Sequence, residues 1–157
     1  MKVDALKEVL SRHAKWLAGE PGGARADMTH ADLTHADLRL ENLTDADLFG
    51  AMMIGANLSG ANLTHADLTG ANLFGANLSG ADLFGADLNG ANLTRAKLIG
   101  ASLTQADLTG AKLIGADLSG ASLTRAKLIG ADLTGANLTG ATLNEADLTG
   151  AMMDGAE

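Results

Sequence analysis

The sequence predicts an all-β coil of square cross-section preceded by a short helix, and three observations predict it. From Met28 to Met153 every fifth residue is Leu or Met, an unbroken run of 26 pentapeptides whose centres are Leu except at Met28, Met53 and Met153. The residue two before each centre is Ala, with Glu41 the single exception. The residue two after the centre is usually Gly. A period of five is neither the helix period nor the strand period. A helix would scatter the leucines around its axis and lose about 1 kcal/mol at each interior glycine. A flat strand would send alternate leucines to opposite faces. The pattern is satisfied if the chain turns a corner every five residues. Centre and Ala then point inward, and Gly stands at the corner, where a turn asks for positive φ.

The number of sides is written in a second, longer period. After the first repeats, the corner glycine is replaced at Asp45, His65, Arg95, Gln105, Arg125 and Glu145, and five of these six share a spacing of 20 residues. A second column has the same period: Asp27, Asp47, Asp67, Asp87 and Asp107, then Lys127, then Asp147. Twenty residues are four pentapeptides, so the coil has four sides and makes about six and a half turns. Two segments follow: residues 1–25 as helix and linker, and 26–157 as the coil.

Repeats such as ADLTH, ANLFG, ADLSG and AKLIG resemble the pentapeptide-repeat family, whose consensus is A(D/N)LXX. The resemblance covers residues 26–155 and departs from the consensus at Glu41. It implies a right-handed quadrilateral parallel β-helix.

Stacked coils bring columns of side chains into register. Asn57 falls on Asn77, Asn72 on Asn92 and Asn42 on Asn62, as amide ladders require. The motif AKLIGA occurs three times at intervals of fifteen residues, and each lysine has an aspartate one coil later. This predicts inter-coil pairs Lys97–Asp117, Lys112–Asp132 and Lys127–Asp147, which would serve register more than stability, since exposed pairs contribute at most about 1 kcal/mol each.

Solenoid ends need covers. Residues 4–18, DALKEVLSRHAKWLA, read as an amphipathic helix with Asp4 as N-cap and Gly19 as stop. Val3, Leu6, Leu10, His13 and Leu17 form one stripe with Trp16 beside it, and the stripe is expected to lie across the first coil. Gly22-Gly23 lets the chain swing into the coil. His13 and Trp16 read as cap packing in preference to a ligand site. The C-terminal coil, ending in Met152-Met153-Asp154-Gly155-Ala156-Glu157, predicts an end-to-end homodimer through that coil.

Catalysis asks for convergent groups in a pocket, and a leucine-filled square coil without insertions offers none. No enzymatic activity and no cofactor are expected. His30, His35 and His65 stand on three different corners, so they do not converge on a metal ion. The chain has no cysteine and no apolar run of the roughly 18 residues that span a bilayer, so a cytoplasmic protein without membrane partners is expected. Basic and aromatic residues are too few for direct nucleic-acid binding.

Charge points the other way. The whole chain has a formal net charge of −8. Residues 26–90 carry 9 acidic residues and 1 basic residue, net −8, and residues 91–157 carry 7 and 5, net −2. At a coil rise of about 4.8 Å the first half has about one charge per 2 Å, close to the one per about 1.7 Å of duplex DNA. Its acidic face is Asp27, Asp45, Asp47, Asp67 and Asp87. The resemblance implies one reading of this, since some pentapeptide-repeat proteins bind DNA gyrase in place of DNA. The leading expectation is broader: a non-catalytic interaction or scaffold rod with a protein partner. An apolar docking patch is expected where Met52, Ile54 and Phe74 lie outward on the second side.

Overall fold

The computed structural model describes Met1 and residues 3–157. One α-helix, α1 (Val3–Leu17), precedes the coil. It starts one residue earlier than expected, so Asp4 lies within the first turn instead of capping it, where its carboxylate faces the positive end of the helix dipole. The C-terminus closes as a Schellman motif. Gly19, at φ 69°, donates to the Trp16 carbonyl at 3.0 Å, and the Glu20 N–H reaches the Lys15 carbonyl at 2.8 Å. The chain then doubles back along the helix, with the Ala24 N–H on the Arg12 carbonyl at 3.0 Å. Gly22 takes φ 78°, and Gly23 passes so close that a Cβ there would lie 2.4 Å from the Trp16 nitrogen.

From residue 26 the coil is one motif repeated, and residues 66–71 show why it is stable. The Asp67 N–H donates to the Ala46 carbonyl one coil back at 3.0 Å, and the Leu68 N–H to the Asp87 carbonyl one coil on at 2.7 Å. The Gly70 N–H reaches the Asn89 carbonyl at 2.8 Å, and the Ala71 N–H closes a turn on the Leu68 carbonyl at 2.9 Å. The remaining N–H, of Thr69, is taken by Asp67 Oδ1 at 2.9 Å. Every backbone donor of the repeat is thereby satisfied. The preference for Asp or Asn before the centre is this last bond, an Asx turn. A turn bond from centre to next Ala, with positive φ at the corner residue between them, is type II geometry.

The 20-residue register holds throughout, from the Asp27–Asp47 bridge to Asp132–Met152, all parallel. Each side contributes one bridging residue, and among the described residues no longer strand forms. A corner every five residues leaves room for no more, so the all-β expectation is met by stacked single bridges instead of continuous strands. Each coil has four sides, first to fourth, whose bridging residues in the second coil are Asp47, Met52, Asn57 and Asn62. The leucine and methionine centres from Met28 to Leu133 are at most 2% exposed.

Corner residues all take φ between 53° and 71°, nine of them not glycine. At His30, His35, Leu40 and His65 the corner side chain lies over the glycine of the next coil. A Cβ on Gly50 would sit 2.4 Å from His30 Nδ1, so that glycine is required twice, for its φ and for the room it leaves.

The helix lies across the first coil with Leu6, Val9 and Leu10 against the core and His13 fully buried. Val9 joins the packed stripe, while Val3, placed there by the sequence pattern, is 67% exposed. Leu17 is half-buried and Trp16 stands at the rim, its ring stacked on His13 at 5.5 Å. Glu41, the one break in the alanine column, borders a cleft under α1 with Leu6, Lys7 and Leu10. It belongs to the first coil, which a helix covers instead of another coil, so a long side chain finds space there. At the other end Leu138, Leu143 and Leu148 are half-buried, and Met152 and Met153 are exposed.

Candidate interaction surface

The acidic face is a true column. Asp27, Asp47, Asp67, Asp87 and Asp107 bridge one to the next on the first side. Each carboxylate accepts the N–H two residues on: Thr29 at 3.1 Å, Phe49 at 3.1 Å, Thr69 at 2.9 Å, Asn89 at 3.0 Å and Thr109 at 3.1 Å. Asparagine makes the same bond elsewhere, as Asn62 does to Thr64 at 2.9 Å and Asn77 to Ser79 at 3.1 Å. The turn therefore accepts Asp or Asn equally, and an all-Asp column adds like charges in register that the fold does not ask for. Asp45 adds its charge at the adjoining corner, at φ 59°.

Among the described residues, cations pair with the column at Asp47 and Asp107. Arg25 lies 3.4 Å from Asp47, and Lys127 Nζ 3.0 Å from Asp107. Among the described residues no ion pair forms at Asp67 or Asp87. The Thr29 hydroxyl and N–H hold the Asp27 carboxyl below its usual range. At Asp107 partial burial pushes upward, and the bonds from Thr109 and Lys127 outweigh it to leave the carboxyl lowered. On the third side the Arg39 guanidinium grips Asp37 through two bonds, 2.8 and 2.7 Å, and holds that carboxyl at about 2.

The expected lysine pairs are corrected by this geometry. Lys127 turns back to Oδ2 of Asp107 and not forward to Asp147, although both carboxylates take the N–H and hydroxyl of the threonine two residues on. Lys97 and Lys112 bridge Asp117 and Asp132 through the backbone, yet among the described residues neither closes a side-chain ion pair. Asp117 and Asp132 have their Oδ1 atoms committed to Ser119 and Thr134, and the lysine tails remain exposed. Among the described residues, the charged corner column that does pair is Arg125 with Glu145, at 2.6 Å. The amide ladders are thinner than expected: Asn92 donates to Asn72 at 3.2 Å, while Asn42–Asn62 and Asn57–Asn77 share a bridge without an amide bond.

Of the apolar patch, Met52 is 43% and Phe74 38% exposed, with Ile54 half-buried between them. The structure adds Phe49, 42% exposed, across the corner from Met52. Its signal was present in the spacing. His30 meets Phe49 edge-on at 5.3 Å, and His65 meets Phe84 at 5.6 Å, each pair separated by nineteen residues with a glycine following. The three exposed histidines thus serve their own corners, and among the described residues no three His, Cys, Asp or Glu side chains gather as a metal site.

His13 is the exception among the histidines. Its Nδ1 accepts the Ala26 N–H at 3.0 Å, tying the helix to the first residue of the coil, and its buried Nε2 has no partner. Burial lowers its pKa below 6.5. His13 is thus held between α1 and the start of the coil.

The sequence profile for pentapeptide repeats matches the chain in eight overlapping copies that together span residues 42–157. The chain belongs to the pentapeptide-repeat family. Among solved structures, this pentapeptide-repeat chain resembles Rfr23 of the cyanobacterium Cyanothece 51142, with 26% identity, 96% of this chain and 97% of that one covered, and a TM-score of 0.64. HetL of Nostoc sp. strain PCC 7120, a pentapeptide-repeat protein involved in heterocyst differentiation regulation, is 35% identical over 85% of this chain and 73% of its own, with a TM-score of 0.49. A pentapeptide-repeat protein of the Arabidopsis thaliana thylakoid lumen is 34% identical over 69% and 72%, with a TM-score of 0.47. Comparison with curated protein sequences gives no match. Structures of this family imply the right-handed quadrilateral β-helix for the coil described above.

Proposed function

We propose that this pentapeptide-repeat chain is a non-catalytic interaction rod that presents Asp27, Asp45, Asp47, Asp67 and Asp87 to a protein partner. The observation that carries the reading is the free choice between Asp and Asn. Both close the Asx turn, Asn without repulsion, yet the first side holds Asp in five consecutive coils. Fold stability does not account for that choice, and recognition of a cationic surface does. The test uses the chain and its Asp47→Asn/Asp67→Asn/Asp87→Asn variant as baits in cell extract. Prey retained by the first and lost from the second, at equal thermal stability, supports the reading; identical prey sets overturn it.

A second reading is favoured by charge density alone. About one net charge per 2 Å over residues 26–90, at a rise of about 4.8 Å per coil, approaches that of duplex DNA, and a topoisomerase such as DNA gyrase is the partner this would select. Purified protein is then expected to inhibit gyrase supercoiling or protect it, and no effect at about ten times the enzyme-saturating DNA concentration would end this reading. The C-terminal coil, with Met152 51% exposed, is the proposed surface for the homodimer, and a monomer by light scattering would overturn that part.

A further inference from the structure

The acidic column is one edge of a larger surface. Phe49 shares the first side with Asp47, whose carboxylate takes the Phe49 N–H at 3.1 Å. Around the corner, Met52 stands where an Asx residue would, so the side-chain acceptor that Asn72 gives the Phe74 N–H at 3.2 Å has no counterpart for Ile54. Met52 therefore costs the coil a hydrogen bond. The same columns also accept polar residues, Asn72 and Asn92 below Met52 and Thr34, Thr94 and Thr134 above and below Ile54 and Phe74, with Ile114 and Met152 recurring as single apolar positions further on. Phe49, Met52 and Phe74 are nonetheless placed outward, in two successive coils and around one corner.

Charge identifies what covers them. The carboxylates around this patch are Asp27, Asp32, Asp47 and Asp67, and among the described residues Arg25 on Asp47 is the one ion pair there. An anionic membrane or a nucleic acid would be repelled. An occupant that buries these apolar side chains and leaves the carboxylates paired must carry cations beside an apolar face. We infer that the first and second sides of the second and third coils dock an amphipathic basic helix of a protein partner, its apolar stripe on Phe49, Met52, Ile54 and Phe74 and its Lys or Arg residues on the column. The inference rests on the acidic-column reading and adds to it the apolar half of the site and the form of the ligand.

The probe is a fluorescent peptide of about 18 residues, five helical turns, with Leu at helical spacing and Lys on the flanks; the control replaces Lys by Glu. Anisotropy is expected to show saturable binding of the Lys peptide, weakened by salt, and none of the Glu peptide. The variant Met52→Asn/Ile54→Thr/Phe74→Thr uses residues its own columns already contain, so it folds, and it is expected to bind about tenfold more weakly or worse. The variant Asp27→Asn/Asp47→Asn/Asp67→Asn keeps the turns and is expected to weaken binding and flatten its salt dependence. Loss with the second variant but not the first overturns this inference and leaves the acidic column standing. Loss with the first but not the second overturns the inference and the column's part in binding together. No saturable binding, or a dimer by light scattering that the first variant turns to monomer, which would mean a second copy closes this face, also overturns it.

Discussion

The two halves of the coil share one interior and differ in nearly everything outside it. Residues 26–90 and 91–157 use the same Ala and Leu columns and the same turn bonds. The first half carries a net −8, an unbroken aspartate column, three aromatic side chains and a docked helix. The second carries a net −2, three Lys-Leu-Ile segments and a last coil whose leucines are half-buried. Two of five positions hold the coil together by burial, and a third, before the centre, serves the turn with either Asp or Asn. The remaining freedom is where a function can be written, and only the first half uses it to concentrate one sign of charge beside exposed aromatic residues.

The comparison breaks first at the core. Leu78→Ala and Leu113→Ala, one in each half and both fully buried, are each expected to lose about 3 kcal/mol. Half-buried Leu143 is expected to lose about half as much when cut to Ala, measured by denaturant melts. An equal loss at Leu143 would mean that something covers the last coil.

The next effect concerns the helix, which only the first half has. Gly23→Val would place a Cβ 2.4 Å from the Trp16 nitrogen, and is expected to detach α1 at a cost of about 2–3 kcal/mol. Hydrogen exchange should then show lost protection in α1 and at Ala26, with no change beyond the middle of the coil.

A smaller effect follows pH. His13 is buried neutral with its pKa lowered by burial, so the undocked helix binds a proton more readily than the docked one. Its contribution is complete above pH 6.5, the ordinary value, and falls as pH drops below that, by no more than about 1.4 kcal/mol per pH unit. Trp16, stacked on His13, is the fluorescent reporter. His13→Gln should remove the acid transition while an Asp67→Asn control retains it.

The smallest effect is the most discriminating for function. Asp67→Asn and Asp87→Asn should change stability by under about 0.5 kcal/mol, because Asn closes the same turn, whereas Asp67→Ala loses that bond and about 1 kcal/mol. A large loss on Asn substitution would make the column structural and remove the argument for a partner.

Much of this was legible in the sequence because a strict period leaves no ambiguity about direction. Five residues per corner and twenty per coil follow from Leu73, Leu78 and Leu83 and from the spacing of Asp47, Asp67 and Asp87. The helix is legible in its stripe, although Val9 and not Val3 packs on the core, because the position of the first coil beneath α1 decides which side is covered. The lysine pairs misled for a different reason. Lys97, Lys112 and Lys127 do stand one coil from an aspartate, but register places backbones and not flexible charged tails. The turns hold only Oδ1 of these carboxylates, and Asp107, held the same way by Thr109, still takes Lys127 through Oδ2, so where each tail lies decides the pairing.

By itself the sequence determined the coil, its four sides, its core and its charge gradient, since each follows from a residue's place in a repeat of fixed length. Tertiary structure alone decided that Asp and Asn are interchangeable in the turn, that Phe49 completes the patch across a corner and that His13 ties the helix to Ala26. Those facts depend on which oxygen accepts which N–H, and on what lies around a corner or beneath a helix. A one-dimensional period carries no such information.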